Sequence, residues 1–297
     1  KREMLKYLGA LELRSKLFMT APVAPVVAPS YQQFFEDQLR NALKNPFEAL
    51  ANQQVLAVIV FTILFGAAMT TIGPLGAKFF EINRAINLAT TKIINLIMHI
   101  APFGVFGLLV SVISSTGPAV FRELFWYAVC VILGLVFHLF IFLPAINYYY
   151  TRQNPFELLY KLKPVLLVAF STSSSNATIP VAIKTMEESF NVDKRVSRFV
   201  LPLGATINMN GTALYEAVAA VFIAQLYGVT LGFSSQVVIA ITAALAAAGT
   251  AGIPAAGTVT MALILSAAGL PMEGIGLLFA LDRPLDMCRT AVNVAGD

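Results

Sequence analysis

Charge is scarce in this chain. Only 12% of its 297 residues are charged, where a soluble domain carries about 25%. Histidine and cysteine are scarcer still, with two of each: His99 and His138, Cys130 and Cys288. Both cysteines lie in apolar segments without metal-ligand spacing, which excludes a disulfide framework and a zinc site. Cys130 reads as a small buried or lipid-facing apolar residue. No nucleophile–base pair stands out, so an enzyme is not expected. The net charge of +4 needs no nucleic-acid partner. The basic residues cluster in short connections, as they do in the cytoplasmic loops of membrane proteins.

What the chain has in quantity is apolar surface. Hydrophobic residues make up 58%, and 22 phenylalanines outnumber the 20 lysines and arginines together. The mean hydropathy is +0.76. These values point to a protein of the lipid bilayer, and the long apolar runs that follow are expected of an all-α polytopic one. Three apolar runs read as spans: Val55–Met69, Ile93–Ile113 and Leu124–Tyr148. Pro102 and Gly104 are expected to bend the second. Trp126 and Tyr127 open the third and Tyr148–Tyr150 close it, which fits interfacial aromatic belts. His99 and His138 read more readily as satisfied interior residues than as proton carriers. Residues 1–50 read as an extramembrane connection. It holds a loosely helical Lys1–Lys16, a Pro-rich spacer at Ala21–Ser30 and a short amphipathic helix over Tyr31–Leu43. With no initiator methionine, no signal-peptide pattern and an end inside a polar stripe, the chain is expected to be a piece of a longer protein.

The second half is of another kind. Pro164–Phe170 is apolar, STSSSN (Ser171–Asn176) is polar, and Ile179–Ile183 is apolar again. Neither arm reaches the roughly 20 residues of a spanning helix, so the pattern predicts a re-entrant hairpin with a polar tip. Arg152, Lys161 and Lys163 precede it, and Lys184, Lys194, Arg195 and Arg198 follow. Both its ends are therefore expected in the cytoplasm. Phe199–Tyr227 then crosses outward, interrupted by GATINMNGT (Gly204–Thr212). An unwound centre there would free backbone carbonyls for a cation; polar residues joining neighbouring helices are the alternative. Val237–Ala248 and Val259–Ala268 repeat the hairpin around GTAGIPAAG (Gly249–Gly257), with no basic residue in either flank. This second hairpin should enter from outside. Two polar-tipped hairpins of opposite entry, each followed by a helix with polar residues at mid-depth, make an inverted repeat.

The last helix carries Asp282, Asp286, Arg289, Asn293 and Asp297 at spacings of four, three, four and four. These share one helical face, with Thr290 at its edge. A charge at bilayer depth costs about 2.5–3.5 kcal/mol on insertion scales, so such a face persists by pairing, lining a wet cavity or binding something. One cation, several carboxylates and an amide suit a small zwitterion with an extra negative group, plus metal cations. In a soluble protein the same stripe would be an ordinary salt-bridged surface; the composition argues against that setting.

SSSNATIP, LPLGATINMNGTALYEA, GTAGIPAAG and DMCRTAVNVAGD occur in this order. With them the chain resembles the dicarboxylate/amino acid:cation symporter family, which includes glutamate and aspartate transporters. The resemblance runs from Asn45-Pro-Phe onward. It implies the glutamate-transporter fold with two re-entrant helical hairpins and inverted repeats. It also implies that the first three membrane helices are absent. Residues 51–150 would be the remaining scaffold helices, 151–297 the transport domain, and the assembly a homotrimer in the cell membrane, here a bacterial inner membrane.

The resemblance also implies roles. Arg289 would hold the side-chain carboxylate of aspartate or glutamate, with Thr212 and the Gly257 backbone. Asp286 would take the ammonium, with Thr290 and carbonyls near Ser173 and Ile253. Asn293 and Ser175 would take the α-carboxylate. One sodium site would use Asn293, Asp297 and main-chain oxygens around Gly204 and Asn208; another would use carbonyls around Thr206, Ala247, Ala248 and Thr250. Sodium ions are thus transported, and no organic cofactor is implied. The family's NMDGT reads NMNGT here, so Asn210 replaces an acidic ligand and a weaker cation site is expected. Asn176 replaces a serine common in the first hairpin. Met287 stands where potassium-coupled animal members carry an arginine, so no potassium countertransport is expected. Pro284 is expected to kink or unwind the last helix.

The expected function is sodium- or proton-coupled symport of L-aspartate or L-glutamate by alternating access. A C4-dicarboxylate carrier would not need Asp286, and a neutral amino acid carrier would not need Arg289. An anion-conducting, channel-like member is a further alternative, but no ring of basic residues supports it.

Overall fold

The computed structural model describes Glu36, Arg40 and residues 43–51, 55–116 and 120–297. The expectations for Lys1–Lys16 and Ala21–Ser30, and most of that for Tyr31–Leu43, lie outside the described residues. Among the described residues all regular structure is helical. They fall into two compact units divided between Val110 and Ser111.

The first unit holds α1 (Pro46–Ala51), α2 (Val55–Thr71) and most of α3 (Pro74–Thr116). Phe65 of α2 meets Phe79 of α3 edge to face, with ring centroids 5.3 Å apart. Large apolar side chains such as Ile63, Leu64 and Leu88 are exposed, as expected where lipid or further protein supplies the contact. The apolar run Ile93–Ile113 lies inside a longer helix. Helix α3 has 43 residues and begins at Pro74. Lys78, Glu81 and Arg84 interrupt the apolar run there, but polar side chains do not end a helix. Nor does Pro102, which lies inside it.

The second unit begins with α4 (Val120–Phe137), a π-helical turn (His138–Phe142) and α5 (Leu143–Thr151). Leu124, Tyr127, Val131 and Leu135 form its buried stripe at helical spacing. Phe125, Trp126, Leu133 and Phe137 on the other side are exposed. Helix α4 packs on the later helices, within the compact unit that runs from Ser111 to Asp297.

Two helix pairs follow. In the first, α6 (Pro155–Thr172) ends on Ser173 in the left-handed conformation, φ 51°. Ser174 then caps α7 (Ser175–Ser189) by accepting from the Ala177 N–H. Asn154 caps α6 in the same way, accepting from the Phe156 N–H. Asp193 caps α8 (Lys194–Ile207) through the Arg195 N–H. The Arg195 guanidinium, bonded to the same exposed carboxylate, holds it below the usual aspartate range.

Helix α8 stops at Ile207 and α9 (Asn210–Leu226) starts two residues later. Asn208 and Met209 leave helical geometry, with ψ of 69° and 53°. The interruption predicted within Gly204–Thr212 is present. The second pair, α10 (Phe233–Ala248) and α11 (Ala256–Ala267), is joined through residues 249–255. A 3₁₀ turn (Met272–Gly274) leads into α12 (Ile275–Gly296).

Helix α12 is not unwound at Pro284, which lies inside the continuous helix. Proline cannot donate to the Ala280 carbonyl, so one helical bond is missing. The turn is held from outside: Leu285 is buried in the core, and Asp282 takes a hydrogen bond from Thr258 of α11. The core itself is built from α4, α9, α10, α11 and α12, with Tyr215, Ile223, Ile239, Met261, Ile264 and Leu278 at its centre.

Candidate functional site

The two helix-pair tips meet. The Ser174 hydroxyl donates to the Gly252 carbonyl at 2.7 Å, and the Asn176 N–H donates to the same oxygen at 3.1 Å. Gly252 allows this approach. A Cβ there would lie 2.9 Å from Asn176 Oδ1 and 3.0 Å from the Ala205 carbonyl. Under the joined tips α12 presents its polar face, and the broken α8–α9 segment closes the side.

Arg289 is the centre of this arrangement, at 1% exposure. Its Nε donates to Asp286 Oδ1 at 2.8 Å, and Nη1 stands 3.3 Å from Asp282 Oδ1. The guanidinium lies over the Tyr215 ring, 4.4 Å from its centroid. Nη1 and Nη2 have no hydrogen-bond acceptor. Asp286 uses its other oxygen to accept from the Ala255 N–H at 2.8 Å. Asp282 Oδ1 also accepts from the Tyr215 hydroxyl at 3.4 Å. One guanidinium faces two carboxyl groups in a desolvated place, where charge is costly unless matched.

Asn293, one turn on, ties α12 to the break. Its Oδ1 accepts from the Gly211 N–H at 2.7 Å and the Thr212 N–H at 3.2 Å, and its Nδ2 donates to Thr212 Oγ1 at 2.9 Å. Gly211 lets the helices close: a Cβ there would lie 2.5 Å from the Arg289 carbonyl.

All nine residues predicted for substrate line one cavity: Ser173, Ser175, Thr212, Ile253, Gly257, Asp286, Arg289, Thr290 and Asn293. It is nearly closed. The room for a water-sized sphere is about 10 Å³, enough for about one water. The Ser173 hydroxyl is buried without a partner. Gly257 is a second close approach, since a Cβ would sit 3.1 Å from Arg289 Nη1.

The predicted cation residues divide into two places. Asn208 Nδ2 donates to Asp297 Oδ1 at 3.3 Å, and Gly204 lies against the same carboxylate. Gly296 lies against the amides of Asn208 and Asn210. Gly204, Asn208, Asn210 and Asp297 are thus one cluster. Thr250 and Ala247 lie at the end of α10, where the Thr250 N–H donates to the Ala247 carbonyl at 3.0 Å. The adjoining Ala248 is the last residue of that helix. The Thr206 hydroxyl bonds its own helix, at the Pro202 carbonyl. No hydrogen bond among the described residues joins Thr206 to Ala247, Ala248 or Thr250.

Several participants carried no assigned role in the sequence reading. Asp282 lay on the predicted stripe without one. Tyr215 and Thr258, which bond it, sit in apolar helices. Glu216 is fully buried; the Thr260 hydroxyl donates to its Oε1, while Oε2 has no partner. A lone acid in LYEAVAA was the available signal.

These features define a helical, strongly apolar protein with a buried, charged and nearly closed centre beneath two polar tips. A profile of the sodium:dicarboxylate symporter family matches residues 15–297. The chain belongs to that family. It is 44% identical over 263 residues to excitatory amino acid transporter 2 of Homo sapiens, covering 88% of this chain and 46% of that protein. Human excitatory amino acid transporter 3 is 46% identical over 244 residues, covering 82% of this chain and 47% of that protein. Neutral amino acid transporter B(0) of Mus musculus is 42% identical over 245 residues, covering 82% of this chain and 44% of that protein. The chain spans about half the length of the curated relatives it matches. Family and relatives are transporters, not enzymes.

Proposed function

We propose that the protein carries an acidic amino acid, L-aspartate or L-glutamate, together with sodium ions (or a proton) across the cell membrane by alternating access. The observation that carries this reading is Arg289: a fully buried guanidinium whose two terminal nitrogens lack hydrogen-bond acceptors beside a cavity lined by Asp286, Thr290 and Asn293. A side-chain carboxylate fits the two terminal nitrogens of the arginine, of which Nη1 now stands 3.3 Å from Asp282 Oδ1. The ammonium fits Asp286, which now pairs with Arg289 instead. The α-carboxylate fits Asn293 and Ser175. A substrate with one ammonium and two carboxylates brings a net negative charge into a desolvated centre, and bound cations offset it. Asn293, Asp297 and main-chain oxygens around Gly204 and Asn208 offer hard oxygens for one, the carbonyls near Thr206, Ala247, Ala248 and Thr250 for another, and the Asn210 amide oxygen is a weaker ligand for a further cation.

The helix pairs act as re-entrant hairpins in this reading. Helices α10 and α11 have 16 and 12 residues, about 24 and 18 Å of rise, short of the roughly 30 Å hydrocarbon core. Their meeting tips, and basic flanks on the first pair with none on the second, support an inverted repeat. The second pair is the outer gate, residues 151–297 move as the transport domain, and the assembly is a homotrimer. A neutral substrate would leave Arg289 unmatched, and a C4-dicarboxylate would leave Asp286 unmatched.

The test is a thermal shift of the full-length protein with aspartate, glutamate, succinate and serine, with sodium and with choline in its place. Stabilisation by aspartate or glutamate in sodium alone is expected. Stabilisation by serine or succinate alone would replace the acidic amino acid reading.

A further inference from the structure

Asn210 opens α9, and its amide has two neighbours of different kinds. Oδ1 accepts from the Gly211 N–H at 3.2 Å, and Nδ2 lies 3.0 Å from Nε2 of His138. The Gly211 N–H can only donate, which identifies the carbonyl end of the amide. Nδ2 can also only donate, so Nε2 of His138 is its acceptor and the neutral ring carries its proton on Nδ1. His138 begins the π-helical turn, a feature frequent at functional sites. Its ring lies against Phe142, with centroids 4.8 Å apart. The amide it holds borders the cluster of Asn208, Gly296 and Asp297.

From this we infer that His138 is a positioning residue for cation binding at Asn210, holding the amide nitrogen so that the carboxamide oxygen stays available to the ion. The inference rests on the cation-coupled reading above. A carboxylate offers an oxygen whichever way it turns. A carboxamide offers one only in one orientation, and flipped it presents N–H groups that repel a cation. Asparagine at position 210 therefore needs a fixed acceptor on its nitrogen, whereas aspartate would not.

The test is a double-mutant cycle on the full-length protein, read as aspartate-induced thermal shift against sodium concentration. His138→Phe keeps a ring against Phe142 and removes the acceptor; His138→Leu removes both; His138→Gln restores an acceptor through its amide oxygen. The sodium concentration for half-maximal binding should rise about three- to tenfold in His138→Phe and His138→Leu, the worth of one hydrogen bond. Aspartate affinity at saturating sodium should return to the wild-type value, and His138→Gln should stay within about twofold of wild-type sodium dependence. In the Asn210→Asp background, His138→Phe should produce no shift. Equal shifts in both backgrounds, or none in either, would overturn the positioning role. Ligand-free melting of each variant separates loss of fold from loss of sodium binding. A wild-type protein that binds aspartate equally with and without sodium overturns the coupling itself, and the inference with it.

Discussion

Arg289 shows how much one side chain can carry and how much of it is legible beforehand. Its place on a polar helical face follows from spacing alone. Its geometry does not, because Asp282 and Asp286 share it with the Tyr215 ring from α9. Spacing on α12 cannot say that Tyr215 is there. The same holds for Glu216, whose partner Thr260 comes from a different helix. Arg289→Cys should abolish measurable binding of acidic amino acids and leave room for small neutral ones. Losing a desolvated, charge-assisted pair costs about 2–5 kcal/mol. Calorimetric titration with aspartate and with serine checks this; unchanged aspartate affinity would remove Arg289 from the substrate role.

At the scale of elements, composition and periodicity locate the helices of the second unit but not where every helix stops. Helix α3 continues through charged residues, and α12 continues through Pro284. Apolar runs locate what lipid or core must cover. Backbone hydrogen bonding, which decides where a helix stops, is indifferent to a solvated lysine and survives one missing donor when the turn is packed. Glycine spacing was more informative where it marked close approach. Gly211 of α9 rests on the α12 backbone at Arg289, whereas nothing lies within 4 Å of a Cβ on Gly276. Gly211→Ala should therefore force the helices apart and lower stability by about 1–3 kcal/mol. Gly276→Ala should be neutral or stabilising by up to about 1 kcal/mol. Melting temperatures of the two variants, measured side by side without substrate, should move in opposite directions or differ by several degrees. Equal destabilisation would mean that the α9–α12 contact is not tight.

At the scale of the whole molecule the question is which side of the membrane each helix pair faces. The first pair is flanked by Lys161, Lys163, Lys184, Lys194, Arg195 and Arg198; the flanks of the second, residues 228–235 and 269–276, hold no lysine or arginine. Basic flanks stay in the cytoplasm, so the pairs should enter from opposite sides. Their tips nonetheless touch at Gly252. Two short arms entering from opposite faces can meet only inside the bilayer, which is where a carrier must hold its substrate during the change of access. Single cysteines test this, placed in a background where Cys130 and Cys288 are replaced. Gly232 and Glu273 are exposed beside the second pair, and Lys163 and Glu188 are exposed on the first. Gly232→Cys and Glu273→Cys should react with an impermeant maleimide in intact cells. Lys163→Cys and Glu188→Cys should react only after permeabilisation. Labelling of all four from one side would refute the inverted repeat. Labelling from opposite sides in the reverse sense would keep the repeat and overturn its orientation, placing the basic flanks outside and the second pair at the inner gate.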